Sequence, residues 1–218
     1  DLPYLRTRAI VESGRLGRVR MIQAQYYTDF LYRPRRPEEL DTAQGGGVVF
    51  SQGAHQIDIV RLLGGGKVRS VRAQTGRWDV SRPTEGAYSA LLTFESGAFA
   101  SCTYSGYAHF DSDEFQGWIG EMGLRKDPSR YGAGRRALES ATDAEAESAM
   151  KAARNFGGKD YAPASIAPAG TRLLIRSTRK SPSPAGGFLI SSISSATCLA
   201  VSGSGGTPTA ARSATCLR

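Results

Sequence analysis

Two runs of three glycines, at residues 45–47 and 64–66, bracket the segment that most constrains how this chain can fold. Between them apolar residues recur near helical spacing, and glycine is the usual residue at which a helix stops. The sequence therefore predicts one helix that ends at the second glycine run. On that helix Ser51, His55 and Asp58 would lie in one row, because residues three and four apart are neighbours.

This row of polar side chains has two interpretations. A lone histidine on a partly apolar helix is often a hydrogen-bonded packing residue rather than a catalyst. A glycine run before a helix, however, lets the backbone come close to a ligand, and histidine is the side chain whose ordinary pKa lies nearest neutrality. His55 is therefore a candidate acid or base, and Ser51 and Asp58 are candidate substrate contacts beside it.

The charged residues divide the chain into two parts. The 218 residues carry 28 Lys and Arg against 20 Asp and Glu, and the net charge of +8 first suggests a polyanionic partner. All 20 acidic residues lie within residues 1–160, together with 22 basic ones, so this part is almost neutral. That balance argues against nucleic-acid binding. Residues 161–218 hold the six other basic residues and no acidic residue.

The segment 161–218 also differs in composition, being rich in Ser, Thr, Pro, Ala, Gly and Arg. Residues 189–193 could pair as a strand, but the rest offers little apolar surface to offset the entropy lost on ordering. Two explanations stay open: a disordered low-complexity extension, or a change of reading frame between residues 165 and 173. The abrupt change of composition favours the second. We therefore predict two parts, a folded domain at 1–160 and a basic tail at 161–218.

Cysteine usage and hydropathy indicate the compartment. Cys102, Cys198 and Cys216 are too few and too scattered for a disulfide framework or a zinc site, so a cytoplasmic protein without a bound metal is expected. No stretch approaches the roughly 20 apolar residues of a membrane span, and the first residues resemble no signal peptide. We therefore expect no membrane partner. The missing initiator methionine suggests a fragment of a longer protein.

The remaining patterns predict an α+β fold: a predominantly antiparallel open sheet with helices on one face. A helix is expected at 3–13, and the turn Ser96-Gly97 between two strand-like runs predicts an antiparallel hairpin. The other expected elements are strands at 19–30, 67–74, 86–95, 98–105 and 110–119 and a helix at 137–155. Gly132 to Ala137 matches a loose dinucleotide fingerprint, but no strand precedes it, so we reject that motif.

Three arginines, Arg33, Arg35 and Arg36, lie among prolines in a loop that leads into the central helix. Proline excludes regular structure there, so an exposed basic loop is expected. Such arginines are either simply solvated or bind an anion, since the planar guanidinium can grip a carboxylate at two points. His109, just before the acidic residues 111–114, is either part of an exposed loop or a further substrate contact.

Four segments in order carry a family resemblance: 12–19 (ESGRLGRV), the glycines at 45–47, 53–58 (GAHQID) and 91–98 (LLTFESGA). Over residues 6–125 the chain resembles the carboxy-terminal domain of the glucose-fructose oxidoreductase, inositol dehydrogenase and rhizopine-catabolism family, Gfo/Idh/MocA. Residues 48–55 and 107–113 are similar to its branch of phthalate 4,5-cis-dihydrodiol dehydrogenases.

The resemblance implies an NAD- or NADP-dependent dehydrogenase that acts on a small cyclic alcohol or dihydrodiol. In the family an amino-terminal Rossmann domain binds the cofactor, and this domain is expected to be missing here. His55 matches the family's frequent catalytic histidine, and Asp58 matches the aspartate that follows it. Ser51 stands where many members have an aspartate. The resemblance also implies a homo-oligomer assembled through the open face of the sheet.

A second hypothesis needs no catalysis. The domain could act as a stand-alone binding or assembly module that joins others through the same sheet face. An apolar, exposed sheet face would support that hypothesis.

Overall fold

The computed structural model describes residues 2–120 and 125–161, together with strand segments at 173–177, 188–194 and 197–203. The fold is α+β, as the sequence predicts. The helices are α1 (Leu2–Glu12), α2 (Ala54–Gly64), α3 (Ala133–Leu138) and α4 (Ala144–Arg154). The strands are β1 (Val19–Tyr27), β2 (Val68–Gly76), β3 (Ala87–Phe94), β4 (Phe99–Ser105), β5 (Leu173–Ser177), β6 (Phe188–Ser194) and β7 (Thr197–Gly203).

The strands form one sheet in the order β2-β3-β4-β1-β7-β6-β5. The predicted hairpin joins β3 and β4, with Gly97 at a φ of +81° in its turn. Strand β1, however, pairs with β4 in parallel, from Met21 opposite Phe99 to Tyr27 opposite Ser105. The expectation of a predominantly antiparallel sheet is therefore corrected to a mixed sheet. Local turns decide hairpins, whereas two strands far apart in sequence can pair in either direction.

Side chains from one face of this sheet build the core against α1 and α2. Alternate residues of β3 are buried, and the same alternation on β1 and β4 brings Tyr26, Tyr88 and Tyr104 together. The ring centroids of Tyr88 and Tyr104 are 6.0 Å apart, and those of Tyr26 and Tyr104 are 5.5 Å apart. Aromatic packing of this kind stabilises beyond the area it buries. These three rings thus hold together the carboxyl-terminal halves of β1 and β4 and the start of β3.

Helix α2 is fastened to the sheet by both apolar and polar contacts. Val60 and Leu63 are buried in the core. Buried Gln56 accepts a hydrogen bond from the Tyr88 hydroxyl at 2.8 Å and donates one to the Thr103 carbonyl at 3.3 Å. These bonds place the start of α2 beside the carboxyl end of β4.

Two predicted elements differ in the structure. No strand forms at 110–119, where the described residues instead contain a 3₁₀-helix, Ser112–Gln116, and a single bridge from Ile119 to Arg125. The helix predicted at 137–155 is two helices, because Asp143 caps α4 by accepting the Ala146 N–H at 2.8 Å. An aspartate that caps a helix favours a helix start at that point.

Strands β5, β6 and β7 belong to the segment predicted as a low-complexity tail, and β6 includes residues 189–193. Strand β7 pairs antiparallel with β1, so these segments extend the sheet past β1. The division of the chain at residue 160 stays a prediction. Among the described residues, no helix is both long and apolar enough to cross a membrane.

Candidate functional site

The helical segment that carries His55 begins at a glycine with a specific packing partner. Gly47 has a φ of +90°, and a Cβ at this position would overlap the carboxylate of Glu85. Glu85 is buried, and it accepts the Val49 N–H at 3.2 Å and the Thr42 hydroxyl at 2.7 Å. A buried carboxylate thus caps the first turn of the segment, where backbone N–H groups lack partners.

The predicted polar row does not form a hydrogen-bonded relay. Residues Val49–Gly53 form a π-helical turn before α2, and the Ser51 hydroxyl donates back to the Gly47 carbonyl. Asp58 is exposed and lies 3.5 Å from the Arg61 guanidinium. His55 is exposed too, and no hydrogen bond or ion pair of its side chain occurs within the described part of the chain. Its imidazole is therefore available to a ligand.

Three apolar side chains of the same helical segment are exposed as well. Phe50 is 65% exposed, and Val49 and Leu62 are also exposed. The segment that carries His55 thus presents both polar and apolar side chains at its surface.

The arginine loop is less exposed than the sequence suggests. Arg35 is half-buried, with its guanidinium 3.6 Å from the centre of the Phe30 ring and 2.7 Å from the Phe30 carbonyl. Arg33 donates to Asp29 at 2.8 Å, and only Arg36 is largely exposed, at 3.1 Å from Glu38. The prediction of an exposed loop was wrong for Arg33 and Arg35, because neighbouring carboxylates and a ring compensate their burial.

Arg33 instead contributes to a cavity of about 470 Å³ that follows the carboxyl ends of β1 and β4. Cavities of about 300–1,000 Å³ are the size that small-molecule ligands occupy. Its other charged lining residues are Asp29, Asp111, Arg125, Lys126, Asp127 and Arg130. The remaining lining residues are Ala108, Trp118, Gly120, Tyr131, Gly132 and Ala133.

Opposite charges are paired in the interior wall of this cavity. Lys126 lies 2.8 Å from Asp111 and 2.6 Å from Asp113, whose side chain is fully buried. Burial would lower the pKa of Lys126, but hydrogen bonds and charge attraction from both aspartates raise it. Burial would likewise raise the pKa of Asp29, but Arg33 holds it below its usual value. These groups stay charged and fix the wall.

His109 is exposed next to this cavity, and its ring centroid is 6.3 Å from that of Tyr107. Its neighbour Ala108 lines the cavity. The acidic segment after it is not an exposed loop, because Ser112 and Asp113 are buried. Ser112 is held there by hydrogen bonds with the Tyr27 backbone.

The start of helix α2, which carries His55, and the cavity both lie near the carboxyl end of strand β4. Gln56, next to His55, bonds to Thr103 near the end of β4, and the cavity residues 108–111 follow that strand. No local sequence pattern predicted the cavity residues Trp118, Gly120 and those from Arg125 to Ala133, because most of them lie outside regular helices and strands. The acidic residues at 111–114 could have suggested that a basic side chain pairs with them. In the structure that side chain is Lys126, which pairs with Asp111 and Asp113.

The described residues offer no cradle for the phosphates of a dinucleotide. Gly132 to Ala137 follows the 3₁₀-helix Pro128–Arg130 rather than a strand, as expected from the sequence. The described residues also contain no cluster of potential metal ligands. Buried Cys102 is no nucleophile, because burial raises its pKa to about 12.

The described fold is an open mixed sheet with a helix layer on one face and an exposed histidine at the start of α2. The chain belongs to the GFO/IDH/MocA C-terminal domain family, whose model matches residues 4–121. A 1-carboxy-3-chloro-3,4-dihydroxycyclohexa-1,5-diene dehydrogenase from Comamonas testosteroni is 50% identical over 157 residues. That match covers 72% of this chain and 40% of the Comamonas protein.

A solved structure supports the same assignment. The crystal structure of a Bordetella bronchiseptica RB50 protein, named as a dehydrogenase, is 46% identical with a TM-score of 0.67. The similarity covers 86% of this chain and 45% of that one. The chain thus spans less than half the length of both relatives.

Proposed function

We propose that this chain is the substrate-side domain of an NAD- or NADP-dependent dehydrogenase that oxidises a cyclic alcohol or dihydrodiol, including ring diols with a carboxylate. The observation that carries the proposal is the exposed His55 imidazole, which lies next to Gln56, the residue that bonds α2 to Thr103 near the carboxyl end of β4. Membership of the family supports the reaction type. The name of the Comamonas relative supports a carboxylated ring diol as the substrate class.

In this proposal His55 accepts the hydroxyl proton of the substrate as the carbinol carbon loses its hydride. The nicotinamide, bound by a Rossmann domain outside this sequence, supplies the hydride acceptor. Ser51 and Asp58 line the approach to His55 without relaying its proton, because each already has another partner. Arg33, at the cavity, is the best placed of the three loop arginines to contact an anionic substrate group. Arg35 supports the loop, and Arg36 remains at its surface.

The test is an assay of the full-length protein that contains this sequence. Ring cis-diols with and without a carboxylate are supplied with NAD or NADP, and formation of the reduced nicotinamide is followed by absorbance. We expect turnover of at least one ring diol. No turnover of any ring diol or cyclic polyol with either cofactor would contradict the proposed reaction.

The outer face of the sheet supports a proposed homo-oligomer. Leu91 and Phe99 are 46% and 44% exposed there, and the register places them diagonally opposite each other on β3 and β4. Met21 on β1 lies directly opposite Phe99. Three adjacent apolar side chains on one face are suited to a second copy of the same face. The same surface favours the second candidate function, an assembly module without catalysis.

A further inference from the structure

The cavity at the carboxyl ends of β1 and β4 contains a charge that its own wall does not neutralise. Asp29 is paired with Arg33, and Asp111 with Lys126. The Arg125 guanidinium, in contrast, has no hydrogen bond or ion pair within residues 5–120 and 125–161. A cavity whose Asp29 and Asp111 are each paired, and which keeps a guanidinium without a partner among those residues, favours an anion.

A second cation strengthens this selection. Arg130 also lines the cavity, is exposed and forms no ion pair with any described residue. The Asp127 carboxylate already accepts the Ser129 N–H and hydroxyl at 2.9 and 2.7 Å. Those bonds, together with the charge of Arg130, lower the pKa of Asp127. Arg125 is therefore the primary anion contact, and Arg130 adds to the local positive potential.

Two aromatic side chains give the cavity an affinity for a flat ring. Trp118 and Tyr131 both line it, and Tyr131 is 41% exposed. Aromatic faces favour planar partners in stacked or edge-on arrangements. A wall that combines indole and phenol rings with guanidinium groups matches a ring that carries a carboxylate.

The backbone around the cavity is held in an unusual conformation. Ala108 and Trp118 are the described non-glycine residues with positive φ, at 55° and 62°, and both line the cavity. Trp118 is held there by a hydrogen bond from its N–H to the Asp113 carbonyl at 2.7 Å, and its carbonyl accepts the Lys126 N–H at 2.6 Å. Such conformations persist where surrounding contacts over-determine them, and they concentrate at ligand sites.

We propose that this cavity binds a planar ring acid, with its carboxylate on Arg125 and its ring against Trp118. The ring acid has two possible sources. It is the substrate of the proposed dehydrogenase, which rests on the proposed function, or it is a separate ligand of the same chemistry. Binding itself does not depend on the reaction, so it is measured on this chain alone.

The probe is benzoate, and the readout is Trp118 fluorescence in a Trp78→Phe background, because the chain has two tryptophans. We expect saturable quenching by benzoate, and at least tenfold weaker quenching by benzamide, which has the ring without the charge. Arg125→Gln should weaken benzoate binding about tenfold, the loss of one charge-assisted contact. Arg130→Gln should weaken it less.

The matched control is Arg15→Gln. Arg15 is also exposed, but it lies in the turn before β1, at the opposite end of that strand. It should leave benzoate binding unchanged. Absent quenching, equal quenching by benzamide, or equal effects of Arg125→Gln and Arg15→Gln would overturn the proposal, provided that circular dichroism shows each variant folded.

The full-length protein then separates the two sources of the ligand. If the ring acid is the substrate, Arg125→Gln raises KM for a carboxylated ring diol and leaves KM for the uncarboxylated diol unchanged. If the ring acid is a separate ligand, Arg125→Gln weakens benzoate binding about tenfold and both KM values stay as in the wild type. A full-length protein with no dehydrogenase activity that still binds benzoate would refute the proposed function and leave the cavity's ligand class standing.

Discussion

The Glu85 carboxylate packs against Gly47 and at the same time accepts the Val49 N–H at 3.2 Å. This relationship explains the glycine run before the His55 helix. The left-handed turn at Gly47 and the missing Cβ together admit a carboxylate to the first turn of the helical segment. The position of His55 thus depends on a residue 30 positions away in sequence.

Gly47→Ala should destabilise the fold by about 3 kcal/mol, since it combines a left-handed alanine with an overlap on Glu85. Gly45→Ala is the matched control. Gly45 has a similar φ of +82°, but a Cβ there would meet no atom within 4 Å, so its cost should be about 1 kcal/mol. Urea unfolding measures both. Equal losses for the two variants would show that Glu85 does not set the requirement for glycine.

Helix α4 is attached through a buried ion pair between Glu147 and Arg82 and a partly buried one between Lys151 and Glu39. Glu147 accepts two hydrogen bonds from Arg82 at 2.8 and 2.9 Å and one from the Arg35 N–H at 2.6 Å. Glu147→Ala would leave a buried guanidinium uncompensated, and it should cost about 3–5 kcal/mol of unfolding free energy. Glu145→Ala, an exposed position on the same helix, should change it by less than about 0.5 kcal/mol. A small loss for Glu147→Ala would mean that α4 is held by other contacts.

Stability should fall in acid because two carboxylates are held ionised in the folded state. Burial opposes ionisation of Asp29 and Glu39, but Arg33 lowers the pKa of Asp29, and the Arg36 N–H and Lys151 lower that of Glu39. Their ordinary values are 3.8 and 4.5, so their contribution is present above that range and is lost as the pH falls through the lower folded-state values.

Urea midpoints between pH 7 and pH 3 measure this dependence. Asp29→Asn should reduce the acid sensitivity while lowering stability at pH 7. An unchanged midpoint between pH 5 and pH 3 in the wild type would contradict the assigned ion pairs.

The proposed oligomer predicts that a charge on the outer sheet face blocks assembly. Leu91→Lys should convert the oligomer into a monomer in analytical ultracentrifugation, because it places a cation in the apolar patch with Phe99. Val71→Lys provides a control of equal chemistry. Val71 is 58% exposed, but its partner Leu92 is buried in the core, so it lies on the opposite face. Assembly that survives Leu91→Lys, or a wild type that is monomeric, would contradict this interface.

Local patterns in the sequence predicted much of the fold. The glycine stop after α2, the alternation on β3 and the turn at Ser96-Gly97 each depend on neighbouring residues, so they could be read directly. The parallel pairing of β1 with β4 and the ion pair between Arg82 and Glu147 could not, because they join residues far apart in sequence. The Ser51 hydroxyl bonds to the Gly47 carbonyl four residues earlier, a local bond that competes with a contact to His55 and that the polar row in the sequence does not reveal.

For the candidate site, too, the sequence could point only to residues that have a local pattern around them. His55 stands out in the sequence because a glycine run precedes it, and its exposure in the structure is consistent with the predicted role. The roles of Arg33, Arg35, Arg36 and His109 stay predictions. No sequence pattern around Arg125 or Trp118 predicts that they line a cavity, because irregular backbone brings them there.

The most direct test of the central claim is the kcat of His55→Asn in the full-length protein, compared with Asp58→Asn. Asparagine keeps a polar, hydrogen-bonding side chain at this position but cannot exchange a proton near neutral pH. We expect kcat to fall by about 100-fold or more for His55→Asn and to change little for Asp58→Asn. A His55→Asn enzyme with near wild-type kcat would contradict the assignment of His55 as the acid and base.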